Sequence, residues 1–209
     1  MGHWYPHPHH PELQLPSVTT ILDATRPAAQ QAVLDRWYAK PGSQAINLAS
    51  RERGNQIDAW AKAYLQRLEL PAVAGEYQIY CDRLLPLLDY ILTNGKIRLL
   101  QRPVHDLGRG YAGEPDLIVE LDHAPLVLDF KTKSKPMHPN SLYEAQLQCT
   151  GYAEAFESEY LELVTAVAVV EVTPKYLLTH HSHNLRLLSR EWAKRLVQFG
   201  AYKYAIPTL

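Results

Sequence analysis

The sequence is poor in cysteine, since only Cys81 and Cys149 occur among its 209 residues. Two thiols so far apart in the chain predict neither a disulfide framework nor a zinc site. Cys149 lies within a helical pattern, and we expect it to be a buried, unreactive thiol.

The sequence also lacks any apolar run close to the roughly 20 residues that span a bilayer. Its first residues do not have the basic and then apolar pattern of a secretory signal peptide. From these two absences we expect a protein that works away from membranes, in the cytoplasm.

The chain has almost no net charge, because 21 Lys and Arg stand against 22 Asp and Glu. Proteins that coat DNA draw their affinity largely from basic charge, so this balance argues against that class. It does not argue against an enzyme that meets DNA through one local basic patch, because acidic metal ligands would offset the patch. Hydrophobic residues make up 46% of the chain, which predicts an ordinary globular protein.

A single domain is predicted over residues 16–209, preceded by a flexible tail at residues 1–15. Prolines in the tail remove backbone donors, so we expect no regular structure there. The tail also contains four histidines that could chelate a metal, although a loose polar segment is the favoured interpretation. These histidines are His3, His7, His9 and His10.

Helical patterns dominate the first half of the domain, and strand patterns dominate the second. Apolar residues at helical spacing predict one helix up to Tyr38, a second from about Gly54 to Leu70, and a third over residues 78–92. A later helix is expected from Ser141, where Glu144 has capping-box spacing. The candidate strands are residues 97–104, 115–121, 126–133, 163–172 and 176–181, with a turn at 122–125 and a last helix over 185–199. This order predicts a mixed α/β arrangement.

The strands on either side of this turn are predicted to form a hairpin that carries the chemistry. If Leu121 pairs with Leu126, the apolar residues of both strands share one face, because strand side chains alternate. The other face then receives Asp116, Asp129 and Lys131, with Asp116 opposite Lys131. A slip of one residue would expose the apolar set, so burial selects this register.

Two neighbouring carboxylates raise each other's pKa unless a cation lies between them. A hard divalent ion is the natural occupant, and magnesium keeps several waters, so Asp116 and Asp129 would suffice to hold it beside a phosphate. Lys131 would then orient or deprotonate the attacking water and neutralise charge on the phosphate. The alternative is an ordinary ion-pair trio on the solvent face of a hairpin, and spacing alone leaves both open.

Short motifs in a fixed order favour the first interpretation. Gly113-Glu114-Pro115-Asp116, followed after twelve residues by Asp129-Phe130-Lys131, resembles the PD-(D/E)XK nuclease signature. Gln148 and Tyr152 share a helix face and resemble the QxxxY motif of the RecB-like exonuclease branch.

Two segments nearer the N-terminus, residues 16–22 and Arg53-Gly54, resemble the entry segments of RecB-type exonucleases. The nearest group is the mitochondrial genome maintenance exonucleases with their phage and bacterial relatives. The order of the motifs matches from about residue 16 to residue 156, which is most of the chain.

The resemblance implies an α/β fold with a restriction-endonuclease-like core, a mixed central sheet flanked by helices, and an N-terminal helical region. It also implies that Asp116, Asp129 and the carbonyl of Phe130 bind Mg²⁺ or Mn²⁺, and that Lys131 is catalytic. Gln148 and Tyr152 would position DNA and order the site. The expected activity is that of a metal-dependent DNA nuclease in repair, recombination or replication, with a preference for single strands or free ends.

Two positions depart from the pattern of these relatives. A helix position that often holds His is Asp58 here, which can also ligate magnesium or manganese. A strand position that often holds Glu is Gln101 here, which has no charge, although Glu114 is a possible substitute. The number of metal ions therefore stays open, and a catalytically decayed protein that binds nucleic acid or serves a structural role is the alternative.

Further nucleic-acid contacts are predicted beyond the metal ligands. Lys133 and Lys135 would extend the Lys131 face as a basic stripe, if the strand continues that far, and contact phosphates in a salt-sensitive way. The alternative is a solvated strand end. Trp37 and Tyr38 are candidate stacking surfaces for unpaired bases.

Overall fold

The computed structural model describes residues 2–182 and 184–205. The first elements are β1 (Trp4–Pro6), β2 (Gln14–Pro16), α1 (Val18–Ala24), α2 (Ala28–Tyr38), α3 (Ser43–Leu65), a 3₁₀ turn (Gly75–Tyr77) and α4 (Gln78–Asn94). There follow β3 (Lys96–Leu100), β4 (Val104–Asp106), β5 (Tyr111–Gly113), β6 (Leu117–Leu121) and β7 (Ala124–Thr132). The last elements are α5 (Pro139–Tyr160), β8 (Ala166–Val172), β9 (Leu177–Ser182), α6 (Leu185–Phe199) and a 3₁₀ turn (Ala201–Tyr204).

A five-stranded sheet in the order β3-β6-β7-β8-β9 forms the centre of the molecule. Strands β7 and β8 run parallel, and the other neighbours run antiparallel. Parallel neighbours need a long crossover connection, and α5 supplies it. The protein is therefore an α/β protein with a mixed central sheet flanked by helices, compatible with the predicted restriction-endonuclease-like core.

Both faces of the sheet are buried. Side chains such as Ile118 and Val127 pack under α5 and α6, whereas neighbours such as Leu117 and Leu128 pack under α3 and α4. Every residue of β8 is buried, which is typical of a strand covered on both sides. The predicted apolar face of the hairpin is confirmed, and the alternative of an ion-pair trio on a solvent-facing side is wrong, because Asp129 is buried. Cys149 is fully buried beneath the sheet, as predicted.

The register of the β6–β7 hairpin differs by two residues from the prediction. Leu121 pairs with Ala124 and Leu117 pairs with Leu128, because Asp122 and His123 alone form the turn. Both turn residues have positive φ, 50° and 64°, which is typical of a tight two-residue hairpin turn. A shift of two leaves each side chain on its predicted face but changes its partner. Continued by one residue, this register places position 116 beside Asp129 and not beside Lys131.

The N-terminal segment contains regular structure, so the expectation that its prolines prevent it is wrong. Strands β1 and β2 pair antiparallel, and β2 crosses the predicted boundary at residue 16. Pro6 and Pro16 stand at strand ends, where a missing N–H is tolerated. Between the strands, the backbone amides of His9 and His10 donate to the buried side chain of His7.

The predicted helices exist, but several boundaries differ. Helix α3 begins eleven residues before Gly54, at Ser43, and ends at Leu65. Helix α4 begins at Gln78 as predicted and ends at Asn94. Helix α5 begins at Pro139, and the side chain of His138 caps it, so the predicted capping box at Ser141 is wrong.

Among the strands, the predicted return over residues 176–181 is confirmed as β9, antiparallel to β8. The predicted strand 97–104 is interrupted at Gln101, whose φ of 43° ends β3. Among the helices of the described residues, none combines the length and apolar character that crossing a bilayer requires.

Candidate metal and nucleic-acid site

Asp116 lies immediately before β6 and reaches the neighbouring strand β7. Its Oδ2 accepts a hydrogen bond of 2.7 Å from the backbone N–H of Phe130. This contact places the Asp116 carboxylate beside the backbone that joins Asp129 to Lys131.

Asp129 points from β7 toward α5 and is only 1% exposed. Its Oδ1 accepts hydrogen bonds from Lys131 Nζ at 2.9 Å and from Gln148 Nε2 at 3.3 Å. Its Oδ2 lies 2.8 Å from the same Nζ, yet within the described residues it accepts no hydrogen bond of good geometry. A buried carboxylate is costly unless its oxygens are satisfied, so Oδ2 retains capacity for a further ligand.

The predicted Gln148–Tyr152 pair lies at this same point. Gln148 Oε1 accepts a hydrogen bond from Lys131 Nζ at 3.2 Å, and Gln148 Nε2 donates to the Tyr152 hydroxyl at 2.8 Å. Tyr152 packs so closely against Gly113 that a Cβ there would lie 2.5 Å from the tyrosine ring. The glycine before the first acidic motif therefore allows α5 to approach the hairpin.

Asp58 reaches the site from α3 and contacts Gln101. These are the two positions that depart from the pattern of the relatives. Gln101 Nε2 donates a hydrogen bond of 2.7 Å to Asp58 Oδ2. The backbone N–H of Gln101 also donates to the carbonyl of Asp116 at 3.2 Å. The sequence pattern identified both positions, but it did not indicate that the two side chains bind each other.

Two of the acids, Asp116 and Asp58, have raised pKa values, and burial is the main cause in both. Burial raises the pKa of Asp116 to about 8, and the charges of Asp129 and Asp58 add to this effect against the opposing charge of Lys131. Burial also raises the pKa of Asp58, while the Gln101 hydrogen bond opposes the increase. Mutual repulsion of this kind is what a bound cation would relieve.

Lys131 is held in its charged form. Burial alone would lower the pKa of Lys131, but the charges of Asp129 and Asp116 outweigh it, and the net pKa is raised. In this arrangement the side chain is a positioned ammonium group that donates to Asp129 and Gln148.

The donor set fits a hydrated hard cation better than a closed metal site. Among the described residues, no group of three or more His, Cys, Asp and Glu side chains is placed to hold a metal on its own. Magnesium is commonly bound through one or two carboxylates together with water and phosphate oxygens. Asp116 and Oδ2 of Asp129, which pairs with Lys131 but accepts no hydrogen bond of good geometry among the described residues, offer such a pair. The roles of Asp58 and the Phe130 carbonyl stay predictions.

Lys133 and Lys135 do not continue the face of β7, because that strand ends at Thr132. They lie in the connection to α5, where Lys133 is partly buried and Lys135 is exposed. Burial lowers the pKa of Lys133, and the nearby charges of Lys131 and Arg53 lower it further. The predicted stripe on a strand face is therefore wrong, and contact of the two lysines with phosphates stays a prediction.

A groove of about 980 Å³ leads from α2 to Lys131. Helix α2 has no buried residue and presents its side chains toward this space. The lining includes Trp37, Tyr38, Lys131, Lys133, Met137 and Gln148. The candidate stacking surfaces Trp37 and Tyr38 thus border the same groove as Lys131 and Lys133.

Comparison with known proteins finds that the chain is similar to a curated exonuclease. No family model matches the sequence. The chain is 26% identical over 200 residues to mitochondrial genome maintenance exonuclease 1 of Mus musculus, a match that covers 90% of this chain and 59% of the relative. The chain therefore spans about three fifths of that relative's length. The crystal structure of SSO0001 superimposes with a TM-score of 0.31 and 14% identity over 60% of this chain and 61% of that one.

Proposed function

We propose that this protein is a divalent-metal-dependent DNA nuclease of the PD-(D/E)XK class, in its RecB-like exonuclease branch. The supporting observation is the connected set formed by Asp129, Lys131, Gln148 and Tyr152, with Asp116 fixed beside it. The similarity to a mouse exonuclease supports a nuclease role from an independent direction. The reaction proposed is hydrolysis of phosphodiester bonds in DNA repair, recombination or replication.

In this proposal Asp116 and Asp129 hold Mg²⁺ or Mn²⁺, with Asp58 and the Phe130 carbonyl as further ligands. Such an ion supplies Lewis acidity and a more acidic bound water. Asp129 and Gln148 hold the Lys131 ammonium where it can neutralise charge that develops on a phosphate. Asp116, whose pKa is about 8, must give up its proton before it can act as a ligand at neutral pH.

The groove favours a single-stranded substrate or one with free ends. Unpaired bases stack on aromatic side chains, and Trp37 and Tyr38 lie along the groove that reaches Lys131. Lys133 borders the same groove and Lys135 lies two residues further on, so both are proposed to contact the DNA backbone. Paired bases would not offer their faces to these aromatic residues.

The test is degradation of oligonucleotides labelled at the 5′ or the 3′ end, single- and double-stranded, with Mn²⁺. Asp129→Ala and Lys131→Ala should each abolish cleavage while the protein stays folded. Lys194→Ala is the matched control, because that lysine is 74% exposed on α6 and should retain full activity. Full activity in either site variant would refute the assignment.

A second candidate is a nucleic-acid-binding protein with a decayed site. The observation that favours it is the Gln101 hydrogen bond, which occupies an Asp58 oxygen that a metal would otherwise use. This candidate predicts that the protein retains a labelled oligonucleotide in Mn²⁺ without shortening it. Product ladders that require Mn²⁺ would exclude it.

A further inference from the structure

The connection between β7 and α5, residues 133–138, forms one side of the groove. Lys133, Met137 and His138 line it. At its start, the backbone N–H of Lys133 donates to the carbonyl of Val172 at 2.8 Å. Near its end, the backbone N–H of Met137 donates to Glu171 Oε1 at 2.8 Å. The segment 133–138 is therefore held by two neighbouring residues of β8.

Glu171 is a buried carboxylate in a strand that is otherwise apolar. It is 2% exposed, and the other residues of β8 are Ala and Val. A buried carboxylate is destabilising unless hydrogen bonds compensate it, so core packing does not explain a glutamate here. In the parallel register it stands beside Lys131.

The partners of Glu171 account for its burial. Its Oε1 also accepts from the Tyr176 hydroxyl at 3.1 Å, and its Oε2 lies 2.9 Å from His180 Nε2. Burial would raise the pKa of Glu171, but these hydrogen bonds together lower it, so the side chain is ionised at neutral pH. The Met137 amide is the partner that lies outside the β8–β9 hairpin.

We infer that Glu171 is a positioning residue that fixes the segment 133–138 against the sheet, so that Lys133 lines the groove beside Lys131. This role rests on the proposed function, since it concerns how the same site binds the DNA backbone. Pro136 has no N–H to offer, and the Met137 amide is the attachment that precedes α5. Glu171 acts through the backbone of the segment and does not touch the substrate.

The experiment measures binding of a fluorescent single-stranded oligonucleotide over a range of salt concentrations, without divalent metal. Glu171→Leu should raise Kd about tenfold at low salt and reduce the slope of log K against log salt by about 0.7 for each lysine that no longer neutralises a phosphate. Glu171→Gln keeps an Oε1 acceptor for Met137 and should restore most of the binding. Tyr176→Phe is the matched control, because it removes a different hydrogen bond to the same oxygen, and it should retain the wild-type slope.

A second pair of variants tests the attachment from its other end. Met137→Pro removes the donating N–H without altering the core strand, and Met137→Ala keeps it. Met137→Pro alone should show the higher Kd and the reduced salt slope that are expected of Glu171→Leu. Met137→Pro and Met137→Ala therefore still test the positioning role of Glu171 if Glu171→Leu does not fold.

The outcomes separate the two levels of the proposal. Failure of the wild-type protein both to bind the oligonucleotide at low salt and to cleave it in Mn²⁺ would overturn the proposed function itself. Wild-type binding together with an unchanged slope in folded Glu171→Leu and in Met137→Pro would overturn only the positioning role of Glu171. Catalytic turnover at saturating oligonucleotide in Mn²⁺ should change far less than Kd, because the reacting groups on β7 are untouched.

Discussion

The two faces of the central sheet are both buried, yet they differ in what they bury. The face under α3 and α4 is apolar along the hairpin, with Leu117, Val119, Leu126 and Leu128 in contact. The face under α5 is apolar at first and then presents Asp129 and Lys131. The first face stabilises the fold, whereas the end of the second face buries charge at a cost. Such local conflict with packing is typical of functional sites.

The largest expected effect in this comparison belongs to the apolar face. Leu128→Ala should lower the free energy of unfolding by about 2–5 kcal/mol, because the fully packed site cannot collapse around the missing atoms. Urea denaturation measures this change. Leu187→Ala is the control, because that side chain is 57% exposed and its truncation should change little. A destabilisation no greater than that of the control would mean that packing on the apolar face does not stabilise the fold.

An intermediate effect on stability is expected from pH. It arises where the sheet carries Asp116, Asp129 and Lys131, which is called the polar end below. Below about pH 4 an Asp carboxyl is protonated in folded and unfolded chains alike. As pH rises, the unfolded chain ionises first, because the folded pKa of Asp116 is about 8. Metal-free protein should therefore lose stability between about pH 4 and pH 8, and the loss should level off above that range.

Thermal unfolding in a chelator measures this pH dependence. Asp116→Asn should flatten the profile, because the amide does not titrate. Added Mn²⁺ should stabilise the wild-type protein more at pH 8 than at pH 6, since a ligand carboxylate must be deprotonated. A wild-type profile identical to that of the variant would show that the polar end carries no such cost.

The smallest effect is expected at Gln101, at the margin of the polar end. Its positive φ costs about 1 kcal/mol for a residue other than Gly. Gln101→Gly relieves this cost but removes the hydrogen bond to Asp58, so stability should change by less than about 1 kcal/mol. Gln101→Ala, which removes the bond and keeps the strain, should be the less stable of the two. Equal stabilities by urea denaturation would contradict the strained backbone.

Patterns that depend on neighbouring residues made much of the fold predictable. Helix α4, the β8–β9 return and the mixed α/β order follow from apolar periodicity and turn residues. The resemblance to the RecB-like branch implied that Gln148 would order the site, and the structure places its side-chain amide 3.3 Å from Asp129 Oδ1. Helix periodicity accounts only for Gln148 and Tyr152 sharing one face of α5.

Features set by contacts between distant segments were not predictable in this way. The hairpin register depended on the conformation of Asp122 and His123, a pair that is not a characteristic hairpin turn sequence. Burial of the second sheet face depends on α5 and α6, which no local pattern assigns to it. The Asp58–Gln101 hydrogen bond joins residues 43 positions apart, so it becomes visible only in three dimensions.

The crossover of α5 between two parallel strands has a consequence for the order of events during synthesis. Gln148 can reach Asp129 only after α5 has docked, and α5 docks on a sheet that includes β8. The parallel pairing of β7 with β8 closes a loop that contains the whole of α5, and long-range pairing of this kind is slow to form. We therefore expect the acids and the lysine to lack their glutamine partner until β8, which follows α5 in the chain, has been synthesised.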